Sequence, residues 1–205
     1  MAGRASCQHR GVNDAMSEIT EKTVPTGTTV RTCRVHDMAS LHPRLRANDW
    51  RSPLVHRLLR STSYTDGAAD VAVDYKWLER RLSSPVTLLW EGLATDFGQC
   101  LASYQAPVLT EFATLGLACV LIHHFPGLEI TEVTRRGEKA DYWIGEKEYM
   151  LEVSGQQGGN LDTLRDEKSK QLLSNPFGKP GFVCVAVYDE RKSYLWFYEV
   201  NHGSL

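Results

Sequence analysis

Residues 138–171 constrain the fold more than any other part of this chain. Two short apolar segments, 140–144 (ADYWI) and 149–154 (YMLEVS), flank a charged turn that contains glycine, which is the pattern of a β-hairpin. A glycine-rich loop follows at 155–159, and the residues from Asn160 onward have helical spacing. This order predicts two antiparallel strands, a loop and a helix.

Two acidic residues fall on these predicted strands. Because side chains alternate across a strand, Glu152 lies on the face opposite Leu151 and Val153, which are suited to a core. In a suitable register, Asp141 of the preceding strand lies on the same face as Glu152. Two carboxylates so close together repel each other unless a proton or a cation lies between them, and a divalent metal ion is the simplest such cation.

The predicted helix after the loop carries a lysine on its apolar side. At about 100° per residue, Lys168 and Gln171 fall on the leucine-rich side of the helix, whereas Lys170 lies roughly opposite. A lysine in an apolar stripe extends to solvent or meets a carboxylate. The strand face that carries Asp141 and Glu152 offers such a partner.

Asp141, ten intervening residues and then Glu152-Val153-Ser154, placed before a helix and another strand, resembles the PD-(D/E)XK nuclease superfamily. The resemblance covers roughly the C-terminal half of the chain and implies a restriction-endonuclease-like αβββαβ core. It implies a hydrolase, a metal-dependent nuclease that cleaves phosphodiester bonds in DNA or RNA. The implied ligands of Mg²⁺ (or Mn²⁺) are Asp141, Glu152 and the carbonyl group of Val153.

The sequence departs from the family pattern at two positions. Ser154 stands where the family has its lysine, and Ala140 stands where it has a proline before the first acid. Family members with the lysine relocated to the following helix are known, and helical phase favours Lys168 for that role, with Gln171 one turn along to help align the attacking water. Without relocation, the resemblance implies an inactive domain that serves as a nucleic-acid-binding or protein-binding module.

Residues 106–125 form the most apolar run and begin with Pro107, which favours the first turn of a helix. Between Asp96 and Glu129, Glu111 is the only Asp, Glu, Lys or Arg. In some members of the resembled family this helix adds a glutamate to the metal site, which would make Glu111 a further ligand. The alternative is that Glu111 lies in the first turn and complements the helix dipole. His123 and His124 are expected to cap the other end.

The remaining elements complete an α/β fold with a mixed central sheet flanked by helices. Strands are predicted at 128–135, 182–189 and 193–200, and the second of these is apolar enough to be buried on both faces. Residues 74–82 are interpreted as a helix and 86–94 as a helix or strand.

We therefore expect three parts. Residues 1–28 form a disordered tail, residues 29–95 a mostly helical N-terminal region, and residues 96–205 the PD-(D/E)XK-like core.

Composition supports a soluble, cytoplasmic protein without a membrane segment. The 205 residues are 42% hydrophobic and 23% charged, and the five scattered cysteines indicate reduced thiols and not a disulfide framework. Residues 1–60 contain ten Arg or Lys and five Asp or Glu, which suits a nucleic-acid partner, although a modest imbalance of this kind more often reflects solvated surface. A homodimer or larger assembly stays open, as does an unrelated α/β fold in which the carboxylates are surface charges.

Overall fold

The computed structural model describes residues 21–23, 29–59 and 65–200. Nine strands among these residues form one mixed sheet, with helices on both of its faces, so the predicted α/β class with a mixed sheet is confirmed. The tail expected over residues 1–28 lies outside the described residues, apart from Glu21–Thr23, which forms a short strand.

The strands of the sheet follow the order β1-β2-β4-β3-β9-β8-β7-β6-β5. The strands are β1 (Glu21–Thr23), β2 (Thr29–Arg34), β3 (Gly67–Trp77), β4 (Arg80–Trp90), β5 (Ile130–Val133), β6 (Tyr142–Ile144), β7 (Tyr149–Gln156), β8 (Gly181–Val187) and β9 (Lys192–Tyr198). Pairing is parallel for β2 with β4, β3 with β9 and β7 with β8, and antiparallel for the other neighbours.

The helices are α1 (Met38–Leu41), α2 (Arg51–Leu58), α3 (Ala94–Ser103), α4 (Ala106–His124) and α5 (Leu161–Leu173), with 3-10 turns at Val35–Asp37 and Ala47–Trp50. Helix α4 covers one face of the sheet together with α1 and α2, and α5 covers the other face. The predicted cap of α5 is confirmed, because the Asn160 side chain accepts the Thr163 N–H at 2.9 Å.

The strands predicted at 128–135, 140–145, 149–154 and 182–189 all belong to this sheet as neighbours, in the order β8-β7-β6-β5. Strand β8 is buried along its whole length, as its apolar run predicted, and β9 pairs with it in antiparallel fashion. Along the chain, the order from α4 through β5, β6 and β7 to α5 and β8 is helix, three strands, helix, strand.

Strand β7 separates two apolar cores. Leu151 and Val153 point into the larger core, which α4 shares. Met150 points into the smaller core under α5, with Leu164 and Leu172. The alternation predicted for this strand is therefore confirmed, and it directs the side chains at even positions of β7 towards α5.

The mostly helical character expected for residues 29–95 is wrong. Residues 74–82, interpreted as a helix, form the end of β3, a turn at Leu78 with positive φ, and the start of β4. The physical reason is a period of two, since Val73 and Tyr75 are buried while their neighbours are more exposed. Strand β3 also pairs with β9, so one sheet spans the chain on both sides of residue 95.

Helix α4 is long and apolar enough to cross a membrane by length and composition, but 67% of the qualifying stretch is buried inside the fold. The core helix of a soluble protein has this property. Its C-terminal end differs from expectation, because burial lowers the pKa of His124 to about 4 and also lowers the pKa of His123. The carbonyl group of His124 instead accepts a hydrogen bond from the Arg31 guanidinium.

Candidate active site

The β6–β7 hairpin positions the two predicted carboxylates. Tyr142 pairs with Leu151, and one residue earlier Asp141 donates its N–H to the Leu151 carbonyl at 3.0 Å. The Asp141 carboxylate accepts the N–H of Val153 at 2.8 Å, which fixes the side chain against β7. Asp141 therefore lies beside Glu152 at the point where β6 begins.

Helix α5 contributes a cation to this pair. The Lys168 ammonium donates to Glu152 Oε1 at 2.6 Å and to Gln171 Oε1 at 3.2 Å. The Glu152 side chain has 0% exposure and that of Lys168 has 24%. The structure thus brings Asp141, Glu152, Lys168 and Gln171 together, while Lys170 is exposed. Because Glu152 is fully buried, the interpretation of both carboxylates as surface charges is wrong.

Burial dominates the electrostatics of the pair. The pKa of Glu152 is raised to about 7, chiefly by desolvation and also by the neighbouring Asp141 charge, while Lys168 opposes both effects. Desolvation also raises the pKa of Asp141, against the Val153 hydrogen bond and the Lys168 charge. One ammonium group therefore does not compensate two carboxylates in this environment.

One oxygen of the pair has no hydrogen-bond partner among the described residues. Glu152 Oε2 is buried without such a bond, which is costly for a carboxylate unless a proton or cation satisfies it. The described residues contain no cluster of three or more His, Cys, Asp or Glu able to hold a metal ion. Two carboxylates nevertheless fit Mg²⁺, which usually keeps several water ligands and takes only one or two carboxylates from the protein.

The other two predicted ligands lie close to the pair. The N–H of Val153 points to the β6 side, towards Asp141, and its carbonyl group points the same way because both groups of a strand residue share one side. Glu111 lies beyond the first turn of α4, which contains no acidic residue, so its interpretation as a first-turn dipole partner is wrong. Its charge instead helps to raise the pKa of Glu152.

The glycine-rich loop serves packing. A Cβ atom on Gly155 would lie 2.0 Å from Thr114 Oγ1 of α4, so glycine permits the close approach of helix and strand at this point. Gln157 accepts a hydrogen bond from Arg57 of α2 at 2.9 Å. These contacts give Gly155 and Gln157 a structural role.

Sequence reasoning missed the basic hairpin between β5 and β6. A cavity of about 420 Å³ lies beside the carboxylates, and Asp141 and Gln171 line it together with Arg135, Arg136 and Lys139. The sequence does indicate a basic segment here, since Arg135, Arg136 and Lys139 all lie within the six residues before Asp141.

No known family model, characterised protein or solved structure matches this chain. The resemblance to the PD-(D/E)XK superfamily therefore depends on the residues and on the order of elements described above. The site itself is defined by Asp141, Glu152, Lys168 and Gln171, which converge from β6, β7 and α5.

Proposed function

We propose that this chain is a metal-dependent nuclease of the PD-(D/E)XK type, with a restriction-endonuclease-like core over α4, β5, β6, β7, α5 and β8. The observation that carries the proposal is the 2.6 Å contact between Lys168 and the fully buried Glu152. A lysine from the following helix thereby reaches the second acid of the motif, although Ser154 stands at the usual lysine position.

Asp141 and Glu152, with the Val153 carbonyl, are the residues that would hold Mg²⁺ or Mn²⁺. A bound ion of this kind polarises a phosphoryl oxygen and lowers the pKa of a water molecule. Glu111 lies within electrostatic range of Glu152 and would add negative charge that favours a cation at this site.

Lys168 is placed to position a water molecule and to stabilise negative charge. An ammonium group has three N–H donors, and Glu152 and Gln171 accept two of them. The third donor is available to orient an attacking water or to stabilise the negative charge that develops on the phosphoryl group. Gln171 restrains the lysine from the next turn of the helix.

The second candidate function is an inactive domain that binds nucleic acid or protein. Ser154 favours it, because a serine supplies no positive charge, and strand alternation directs this side chain to the same face as Glu152. If Lys168 does not serve the chemistry, Ser154→Lys restores the family residue beside an intact carboxylate pair. Activity gained only in this variant would support the inactive-domain alternative.

The proposal is tested by cleavage of labelled single-stranded and double-stranded DNA and RNA in Mg²⁺, Mn²⁺ or EDTA. The wild-type protein is expected to cleave at least one substrate with either metal and none in EDTA. Glu152→Gln is expected to abolish cleavage, since it removes a metal ligand while preserving shape. Glu148→Gln, in the exposed turn of the same hairpin, is the matched control and should retain activity.

Two results would count against the nuclease proposal. Cleavage that persists in EDTA would exclude a metal-dependent mechanism. Equal activity in Glu152→Gln and Glu148→Gln would show that the buried carboxylate has no part in the reaction.

We also propose a cytoplasmic location. The four described cysteines, Cys33, Cys100, Cys119 and Cys184, are buried and free of disulfides, as in proteins of reducing compartments.

A further inference from the structure

A groove runs from the candidate site along the edge of the sheet. The cavity that contains Asp141 and Gln171 adjoins a second cavity of about 410 Å³, and both are lined by Val133 and Arg135. Trp143, Phe177 and Lys179 line the far part of the second cavity. We call the two cavities together the edge groove.

Four of the five cations that line the edge groove lack acidic partners among the described residues. Among the described residues, no salt bridge engages four of its basic side chains, and these are Arg135, Arg136, Lys139 and Lys179. All four are exposed. Unpaired cations beside a site that holds two carboxylates are suited to a polyanion whose scissile phosphate must approach those carboxylates.

The acids of the groove, in contrast, are already engaged. Glu132 pairs with Lys147, and Glu146 pairs with Arg44 at 2.6 Å. Glu138 accepts the N–H of Arg135 at 2.8 Å and the indole N–H of Trp143 at 3.2 Å. The two cavities are lined by five basic and four acidic residues. These pairings leave four cations against the charges of Glu138 and Asp141, so the groove presents a net positive surface.

The hairpin loop that carries three of the cations is held by its own hydrogen bonds. Thr134 donates its N–H to the Asp141 carbonyl at 3.0 Å and its hydroxyl to the Ala140 carbonyl. Gly137 and Lys139 adopt positive φ, which closes the turn. Because the loop is already ordered by these bonds, it loses little conformational entropy when a ligand binds.

An aromatic surface lies at the far end of the groove. Phe177 is 49% exposed, and its ring lies 5.5 Å from that of Trp143, which is only 5% exposed. Val133, 62% exposed, supplies an apolar wall nearby. A half-exposed ring that packs at 55° against a buried indole is held in place and is suited to stack against a planar ligand.

We propose that the edge groove binds single-stranded nucleic acid, with a base stacked on Phe177 and phosphates on the four unpaired cations. Stacking on aromatic side chains combined with a basic track is how proteins bind single strands. A paired base is already stacked on both faces within a duplex, so it cannot occupy the aromatic surface. This inference names the substrate class of the candidate site and rests on the proposed nuclease function.

The stacking part is tested by fluorescence anisotropy with a labelled single strand, and with the same sequence as a duplex, in EDTA so that no cleavage occurs. Phe177→Ala is expected to weaken single-strand binding about tenfold, whereas Phe177→Trp retains it. Leu78→Ala is the matched control, because Leu78 is 57% exposed in the β3–β4 turn and should bind like wild type. Melting curves verify that each variant is folded.

The electrostatic part is tested by the salt dependence of the same binding. Arg136→Ala is expected to reduce the slope of log K against log salt by roughly 0.7, the value for one lost phosphate contact on a single strand. Arg80→Ala, an exposed arginine at the start of β4, should leave the slope unchanged.

The outcomes separate this inference from the proposed function. Equal single-strand affinity in Phe177→Ala and Leu78→Ala, or tighter binding of the duplex than of the single strand, would overturn the inference even if the wild type cleaves. Phe177-dependent single-strand binding without cleavage in any metal would support the groove and overturn the nuclease proposal.

Discussion

Glu152 determines the properties of the candidate site at the scale of single residues. Its carboxylate has no exposure, one of its oxygens lacks a partner, and its pKa is raised to about 7. Lys168 offsets part of the cost of burial, and the neighbouring Asp141 adds to it. The metal-free protein therefore stores unfavourable electrostatic energy that a bound cation would release.

Asp141→Asn tests how much the charge of Asp141 adds to the cost of burying Glu152. The amide oxygen can still accept the Val153 N–H, while the charge that opposes ionisation of Glu152 is removed. In EDTA at pH 8 the variant is expected to gain about 1 kcal/mol in the free energy of unfolding, measured by urea denaturation. Mg²⁺ should stabilise the wild type but not the variant. Glu167→Gln, exposed on α5, is the control and should change neither quantity.

His42 provides a pH prediction away from the site. It lies buried between α4 and β5, bonded to the Cys119 carbonyl at 2.8 Å and accepting the Ile130 N–H at 2.9 Å. Burial lowers its pKa from 6.5 to about 4, so the unfolded chain binds a proton in that range before the folded protein does. The stability that His42 contributes is therefore present above pH 6.5 and lost as pH falls towards 4.

We expect urea denaturation to show that the stability difference between wild type and His42→Gln shrinks as pH falls from 6.5 to about 4. A difference that stays constant across this range would contradict the neutral, buried state assigned to His42.

At the scale of elements, the sequence predicted the hairpin and α5 because their signals are local. Alternation within β7 and helical phase within α5 each need only a few neighbouring residues. These two periodicities were sufficient to select Lys168 over Lys170 as the lysine that faces the sheet. Convergence with Glu152 then followed from packing α5 on β7 and β8.

The prediction of secondary structure failed at β3 and β4, because the boundary between the two elements was placed at the wrong residue. Interpreting 74–82 as a helix crossed the turn at Leu78, and Pro85, a residue that is unusual within a sheet, lies inside β4. The N–H of Ala72, opposite Pro85, points away from β4 to the Arg191 carbonyl. Pairing of β4 with β2 begins only at the next residue, so the missing donor of the proline is tolerated.

Gly155→Ala tests the contact between α4 and β7. The added methyl group would lie 2.0 Å from Thr114 Oγ1 and 3.1 Å from the Thr110 backbone, so the helix must shift. We expect a loss of about 2 to 3 kcal/mol in the free energy of unfolding, measured by urea denaturation.

Gly98→Ala is the matched control for that substitution. Gly98 lies in α3 with open space around it, and alanine is the better helix former. Unchanged or slightly increased stability is expected there. Equal effects at both positions would contradict the close packing assigned to Gly155.

At the scale of the whole molecule, one sheet joins residues 29–95 to residues 96–205, which the sequence analysis had divided into two regions. Strand β3 pairs with β9 over residues 72–76 and 192–196, and α2 packs against α4. The division expected near residue 95 followed from the resemblance to the PD-(D/E)XK superfamily, which covers only the C-terminal half of the chain. Pairing of strands more than a hundred residues apart in sequence leaves no local signal.

A fragment that spans residues 96–205 tests whether this part of the chain can fold without the strands and helices that precede it. It would expose the β3-pairing edge of β9 and the surface of α4 that α2 covers, and an exposed edge favours aggregation. We expect the isolated fragment to lose the near-UV circular dichroism of the folded state or to aggregate, whereas the whole chain unfolds in one transition. A soluble fragment of full stability would contradict this account.

The edge groove is formed by residues that are distant in sequence, so only the three-dimensional arrangement shows it. Arg135 and Arg136 lie six and five residues before Asp141 in the sequence, but Phe177 and Lys179 reach the same groove from the loop after α5. Their association depends on the order of strands at the sheet edge. The carboxylates were predictable from spacing, and the surface that would carry a ligand to them was not.

Lys168 is proposed to supply the positive charge missing at Ser154, and a magnesium-dependent cleavage assay that compares Lys168→Ala with Lys170→Ala tests this role. Both variants remove one lysine from α5, but only Lys168 contacts Glu152, while Lys170 is exposed. We expect Lys168→Ala to lose about a hundredfold or more in rate and Lys170→Ala to stay close to wild type. Equal rates in the two variants would contradict the relocated-lysine mechanism.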